Sequence, residues 1–120
     1  MNLNNLVYAY LGDAIYELYI RNYLISKGVA NVNRLQTESL NYVTAKRQCY
    51  YVEKMIHENF LTEEEQDLFK RGRNASSHPN KSTDIITYKK ATGLECLIGY
   101  LYLHGKKDRI NEIMNFIVGE

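Results

Sequence analysis

Carboxylates set inside apolar helices are the residues of this sequence best suited to chemistry, and two of them stand out. The first is Asp13, in Leu11-Gly12-Asp13-Ala14-Ile15-Tyr16-Glu17, with Leu11, Ala14, Ile15 and Leu18 around it. An acid so placed must face solvent, pair with a cation or hold a metal, because an unpaired buried carboxylate is costly. Gly12 beside it lowers helix propensity by about 1 kcal/mol relative to alanine. A glycine there points to another backbone or a ligand passing close. Glu17, one turn on, either shares Asp13's face or pairs with Arg21. The second carboxylate is Glu95, the lone charge between Ala91 and Leu103 in the most apolar helix of the chain. Lone acids on two apolar helices can meet and hold a divalent cation. Oxygen ligands suit Mg²⁺, which keeps several waters and so needs few protein carboxylates. For Asp13 the alternative is an exposed acid on a polar face.

Cations gather in Lys70-Arg71-Gly72-Arg73-Asn74-Ala75, continued by His78, Asn80 and Lys81. Acids (Glu63, Glu64, Glu65, Asp67) occupy the other end of the same helix, so its charge is segregated. Basic residues at a helix C-terminus suit the macrodipole with no further role. They equally suit a phosphate-gripping loop, since arginine's fork matches phosphate oxygens and Gly72 allows close approach. Lys46-Arg47 is a second, smaller cationic point. The eleven tyrosines, at helical spacing, are read as core edges and interfaces. His57, His78 and His104 lack metal-ligand spacing, and none is read as catalytic.

The elements that must position these groups are helices. Leu3, Val7, Leu11, Ala14, Leu18 and Ile25 recur at helical spacing, broken only at Arg21, and Gly28 stops the pattern. A second helix is predicted from near Asn33, with Leu35, Leu40, Val43 and Ala45 inward. A third covers roughly Cys49 to Asn59, with Val52, Met55 and Ile56 as its core side. Thr62-Glu63-Glu64-Glu65 is a capping box opening a helix through Leu68 and Phe69. A polar loop of about a dozen residues follows from Gly72 to Thr83, a length often functional in compact domains. Helical spacing returns at Tyr88 and runs through Leu101 to Gly105. Ile110, Ile113, Met114 and Ile117 line a last short helix. No alternating pattern supports strands. The expected fold is all-α, one domain over residues 1–120.

The totals fit that reading. A chain of 120 residues suits one core, and 45% hydrophobic residues with a single proline exclude a disordered chain. The net charge of +1 does not announce a nucleic-acid binder, so charge position has to carry that case. Cys49 and Cys96 are far apart and read as reduced thiols of a cytosolic protein. No signal-peptide pattern opens the chain, and the longest apolar run falls short of the ~20 residues of a membrane span.

Three of these segments, in this order, resemble the Mini-ribonuclease III family. Leu11-Gly12-Asp13-Ala14-Ile15-Tyr16-Glu17 is similar to the signature helix of ribonuclease III nuclease domains. Glu95-Cys96-Leu97-Ile98-Gly99-Tyr100-Leu101-Tyr102-Leu103 resembles their second motif. The Tyr8-Ala9-Tyr10 lead-in and Lys70-Arg71-Gly72-Arg73-Asn74-Ala75 are similar to the Mini subgroup in particular. The resemblance implies a ribonuclease III-like helical nuclease domain acting as a homodimer in the cytoplasm, with no membrane association. It implies cleavage of double-stranded RNA, with pre-23S ribosomal RNA the expected substrate and a ribosomal protein a further candidate partner. The implied cofactor is Mg²⁺, with Mn²⁺ as a substitute. Asp13 and Glu95 are the implied catalytic and metal-binding residues, and Lys46, Arg71, Arg73, Asn74 and Lys81 the expected RNA-binding set. The sequence departs from full ribonuclease III at Ala9 and Thr92, where that family carries further carboxylates; the Mini subgroup is similar at both positions. Those departures leave open a different class: a non-catalytic helical RNA-binding or ribosome-assembly module on a degenerate ribonuclease III fold.

Overall fold

A computed structural model describes residues 3–76 and 84–119. They form six helices: α1 (Asn5–Ser26), α2 (Val32–Val43), α3 (Ala45–His57), α4 (Glu63–Ala75), α5 (Ile85–Leu103) and α6 (Lys107–Val118). No strand occurs among the described residues, so the all-α expectation holds.

Most helix limits follow from side chains that satisfy free backbone amides. Asn4 caps α1 by accepting from the Leu6 amide, and Gly28, at φ 92°, turns the chain after it. Asn31 caps α2, just ahead of the start expected near Asn33: its side chain accepts from the Arg34 amide at 3.1 Å. Thr44 caps α3, which therefore starts four residues earlier than predicted. The Thr62–Glu65 capping box forms in both directions, at 2.9 and 3.1 Å. Asp84 accepts from the Thr87 amide at 2.9 Å and starts α5 ahead of Tyr88.

The helices pack around α5, which buries residues 91–94, 96–99 and 101 and lies against α1, α3 and α4. Such all-round burial explains why its sequence shows hardly any polar face. The inward residues expected on α3 and α6 are found there: Val52, Met55, Ile110, Ile113, Met114 and Ile117 are buried, and Ile56 packs against them.

On α1 the apolar residues that recur at helical spacing lie mostly on the outer side. Its buried side is Tyr8, Ala9, Gly12, Ile15, Tyr16, Ile20 and Leu24, whereas Val7, Leu18 and Ile25 are exposed. Both sides of the helix are apolar, and the recurring set is left on the outer surface. Leu40 on α2, predicted inward, is likewise exposed. Tyrosines do serve the core edges: Tyr16 is fully buried and donates to the Tyr42 carbonyl at 2.6 Å, and Tyr51 donates to that of Asn41 at 2.9 Å.

A polar tie closes the far end of the molecule. Arg109 on α6 donates to both oxygens of Glu65, at 2.7 and 2.8 Å, and to the Phe60 carbonyl at 2.7 Å. Glu65 is thus both capping acid and ion-pair partner. Burial pushes its carboxyl up, but the hydrogen bonds from Arg109 and Thr62 outweigh that and hold it below the usual range. Cys49 and Cys96 are free and buried, as expected of reduced thiols.

Candidate active site

The glycine beside Asp13 is explained by the crossing of α1 and α5. A Cβ on Gly12 would stand 1.7 Å from the backbone oxygen of Glu95, and one on Gly99 would stand 1.9 Å from that of Tyr8. Each helix therefore supplies a glycine where the other presents a carbonyl. The backbone inferred to pass close to Gly12 is that of Glu95 itself.

This crossing brings the two sequence-predicted carboxylates together. Asp13 is exposed on the rim, Glu95 is half-buried, and the two lie within hydrogen-bonding reach. Burial, then the Asp13 charge, push the Glu95 carboxyl up to about 8. Gln48 opposes the shift by donating from Nε2 to Glu95 Oε2 at 3.4 Å. The charges felt by Glu95 are those of Asp13 and Glu17, and Gln48 is neutral, so no cation offsets the acids here. Its ligand atoms are oxygens, suited to a hard divalent cation, so the residues present fit Mg²⁺. Among the described residues no three His, Cys, Asp or Glu side chains converge.

The neighbours sort themselves by their bonds. Glu17 pairs with Arg21 at 3.1 Å in the open, as its alternative reading held, and adds only a minor field at Glu95. Ala9 is buried beside Tyr8 and Cys96. The Thr92 hydroxyl donates to the Tyr88 carbonyl at 3.1 Å, within its own helix. Neither departure position supplies a ligand.

Sequence reasoning missed Gln48. It is only 3% exposed and extends the inward line of Val52 and Met55 back by one turn. A polar residue on that line was the available signal.

The cationic segment is not a loop at its start. Arg71, Gly72, Arg73 and Asn74 belong to α4. Gly72 serves helix packing, since its Cβ would stand 2.4 Å from that of Cys96. Arg71 is exposed, and its charge reaches the Cys96 thiol, next in sequence to Glu95. Arg73 lies in the last turn, 5.8 Å over the Phe69 ring, and donates to Asn74 at 3.2 Å. Lys46 is exposed on the first turn of α3, two residues before Gln48. Lys81, with His78 and Asn80, lies outside the described residues.

This architecture and its acid pair define a ribonuclease III domain, whose family description matches residues 6–106. Curated relatives narrow the class. A Mini-ribonuclease 3 from Enterococcus faecalis is 48% identical over 117 residues, covering 97% of this chain and 89% of that protein. One from Streptococcus pneumoniae is 38% identical over 117 residues, covering 97% and 91%. A Fusobacterium nucleatum crystal structure superimposes with a TM-score of 0.86 at 36% identity, covering 98% of this chain and 93% of that one. The chain belongs to the Mini-ribonuclease 3 family, and by that membership it is an endoribonuclease.

Proposed function

We propose that this endoribonuclease cuts double-stranded RNA by metal-assisted phosphodiester hydrolysis, with Asp13 and Glu95 as its catalytic carboxylates. The observation that carries the reading is their meeting at the Gly12–Gly99 crossing. Asp13 and Glu95 would hold Mg²⁺, or Mn²⁺ in its place, completed by waters. When bound, the cation supplies activation of water and neutralisation of charge at the scissile phosphate. Arg71 and Arg73, on α4, grip backbone phosphates, Asn74 adds an amide, and Lys46 and Lys81 extend the contact. Recognition rests on duplex shape, because the deep groove of RNA hides its base edges.

The outer face of α1 supports a homodimer. Val7, Tyr10, Leu18 and Ile25 lie exposed along it, with half-buried Leu11 between them. Contiguous apolar surface of this kind marks an interface. An isologous contact uses the same patch twice and sets two acid pairs on one duplex, one for each strand. A precursor of 23S ribosomal RNA, in the bacterial cytoplasm, is the substrate this family membership favours, with a ribosomal protein as a helper. No helix among the described residues is long and apolar enough to cross a membrane.

The test is incubation with labelled duplex RNA in Mg²⁺ or in EDTA. Cutting in Mg²⁺ alone, with single strands of the same sequence spared, is expected. Equal cutting in EDTA would overturn the metal assignment. Duplex binding without cutting in either condition would return the chain to the non-catalytic RNA-binding class.

A further inference from the structure

Four polar side chains are buried among the described residues: Gln48, Glu65, Ser76 and Thr92. Glu65 is committed to Arg109 and to its helix cap, Thr92 to its own helix, and Ser76 ends α4. Gln48 is the one that reaches the carboxylate pair.

Its position is set by the start of α3. Thr44 accepts from the Arg47 amide at 3.2 Å, and the Gln48 amide donates to the Thr44 carbonyl at 2.9 Å. One helical turn then aligns Gln48 with Val52, and Met55 follows; both are fully buried. An apolar residue would complete that line at no desolvation cost. An amide there is unfavourable unless it is hydrogen-bonded. Its Nε2 donates to Glu95 Oε2 from α3, while Asp13 approaches the same carboxylate from α1. A hydrogen bond at one oxygen restrains how that carboxylate turns and so biases the direction of its other oxygen.

We infer that Gln48 is a positioning residue: it fixes the Glu95 carboxylate so that Glu95 and Asp13 face one divalent cation together. The inference rests on the reading of that pair as the metal-holding site. Hydrogen bonds that orient ligating groups in this way typically govern metal affinity by roughly 10–100-fold.

The test is Mn²⁺ titration followed by electron paramagnetic resonance, with melting temperatures recorded in EDTA and in Mn²⁺. It compares wild type, Gln48→Met, Gln48→Glu and Asp13→Asn. Methionine keeps the length and removes the donor. Gln48→Met is expected to melt in EDTA no lower than wild type, yet to bind Mn²⁺ roughly 10–100-fold more weakly. Its kcat for duplex RNA should fall while KM holds. Gln48→Glu adds a third acid, so it should melt below wild type in EDTA and gain more on Mn²⁺ addition than wild type does. That comparison decides the matter should Gln48→Met fail to fold.

A merely structural glutamine predicts the reverse: a lowered melting point with Mn²⁺ affinity unchanged. Gln48→Met binding Mn²⁺ within about twofold of wild type, while Asp13→Asn has lost it, would overturn this inference alone. Asp13→Asn that binds Mn²⁺ like wild type would instead overturn the reading of the pair.

Discussion

Replacing Gly12 by alanine tests the crossing that assembles the site. The new Cβ would lie 1.7 Å from the Glu95 backbone oxygen, 2.6 Å from its carbonyl carbon and 3.0 Å from its Cα, where ordinary contact begins at 3.4 Å. Every obstacle is backbone, so no side-chain rotation relieves the clash. The helices must part by about 1.7 Å along that line. Alanine gains about 1 kcal/mol of helix propensity. Overpacking typically costs about 1–3 kcal/mol, and a rigid backbone obstacle belongs at or above the upper end. A net loss of about 2 kcal/mol is expected, or a melting point lower by roughly 5–10 °C. The effect on cleavage should be larger, because a displacement of about 1 Å at a reacting centre can cost on the order of 100-fold. Duplex cleavage under saturating Mg²⁺, well below the melting point of the variant, separates the two effects. Gly105→Ala is the control: Gly105 has φ 74° with open space around its Cβ direction, so alanine there strains the backbone without touching the site. Gly105→Ala should lower stability by about 1 kcal/mol and leave turnover intact. Folded Gly12→Ala that cleaves within about threefold of wild type would refute the claim that this contact sets the carboxylate geometry.

Asp13→Asn should abolish cleavage and leave the melting point in EDTA near wild type, since asparagine keeps the shape and removes the charge a hard cation needs; near-normal turnover in Mg²⁺ would contradict it. Arg71→Ala and Arg73→Ala should each flatten the salt dependence of duplex binding by about 0.9 in the log–log slope. Arg73, in the last turn of α4, should also lose about 0.3–1 kcal/mol of stability, so a lowered melting point with an unchanged slope would leave it a purely structural role. Leu18→Glu should shift the protein to the 14.0 kDa monomer in light scattering, and a monomeric wild type at micromolar concentration would remove the basis for the dimer. Glu65→Gln should cost about 2 kcal/mol, below the 3–5 kcal/mol of a fully buried pair because Arg109 keeps part of its surface in water. The Glu65 carboxyl is held below its ordinary value, so its contribution is complete above pH ~4.5 and fades as pH falls through the folded value. The stability gap between Glu65→Gln and wild type should therefore close in acid, as denaturant titrations at several pH values would show.

What the sequence discloses depends on whether a feature is local. The capping box at Thr62 and the stop at Gly28 involve neighbours a few residues apart, and both stand where they were expected. Asp13 and Glu95 were legible because each is an acid set among apolar neighbours in its helix, and the structure does bring them together. The side of α1 was not legible: Tyr8, Ile15 and Ile20 compete with Val7, Leu18 and Ile25, and hydrophobicity cannot choose between two apolar sides. Small residues decide it, because only the side carrying Ala9 and Gly12 lets α5 approach. Gly72 misled in the opposite sense, since a glycine that admits a neighbouring helix looks in sequence like a helix end. Gln48 and the Glu65–Arg109 pair escaped notice because their partners lie far along the chain.

The reciprocal fit of Gly12 beneath Glu95 and Gly99 beneath Tyr8 also bears on when the enzyme becomes active during its own synthesis. A growing chain that has released α1 to α4 carries Asp13, Arg71 and Arg73 but has no Glu95. Even after α5 emerges, a slip of one residue at the crossing would drive a Cβ into a carbonyl, so the acids meet in a single register. On the proposed reading of the pair, the site is complete only once the fifth helix has been made and seated.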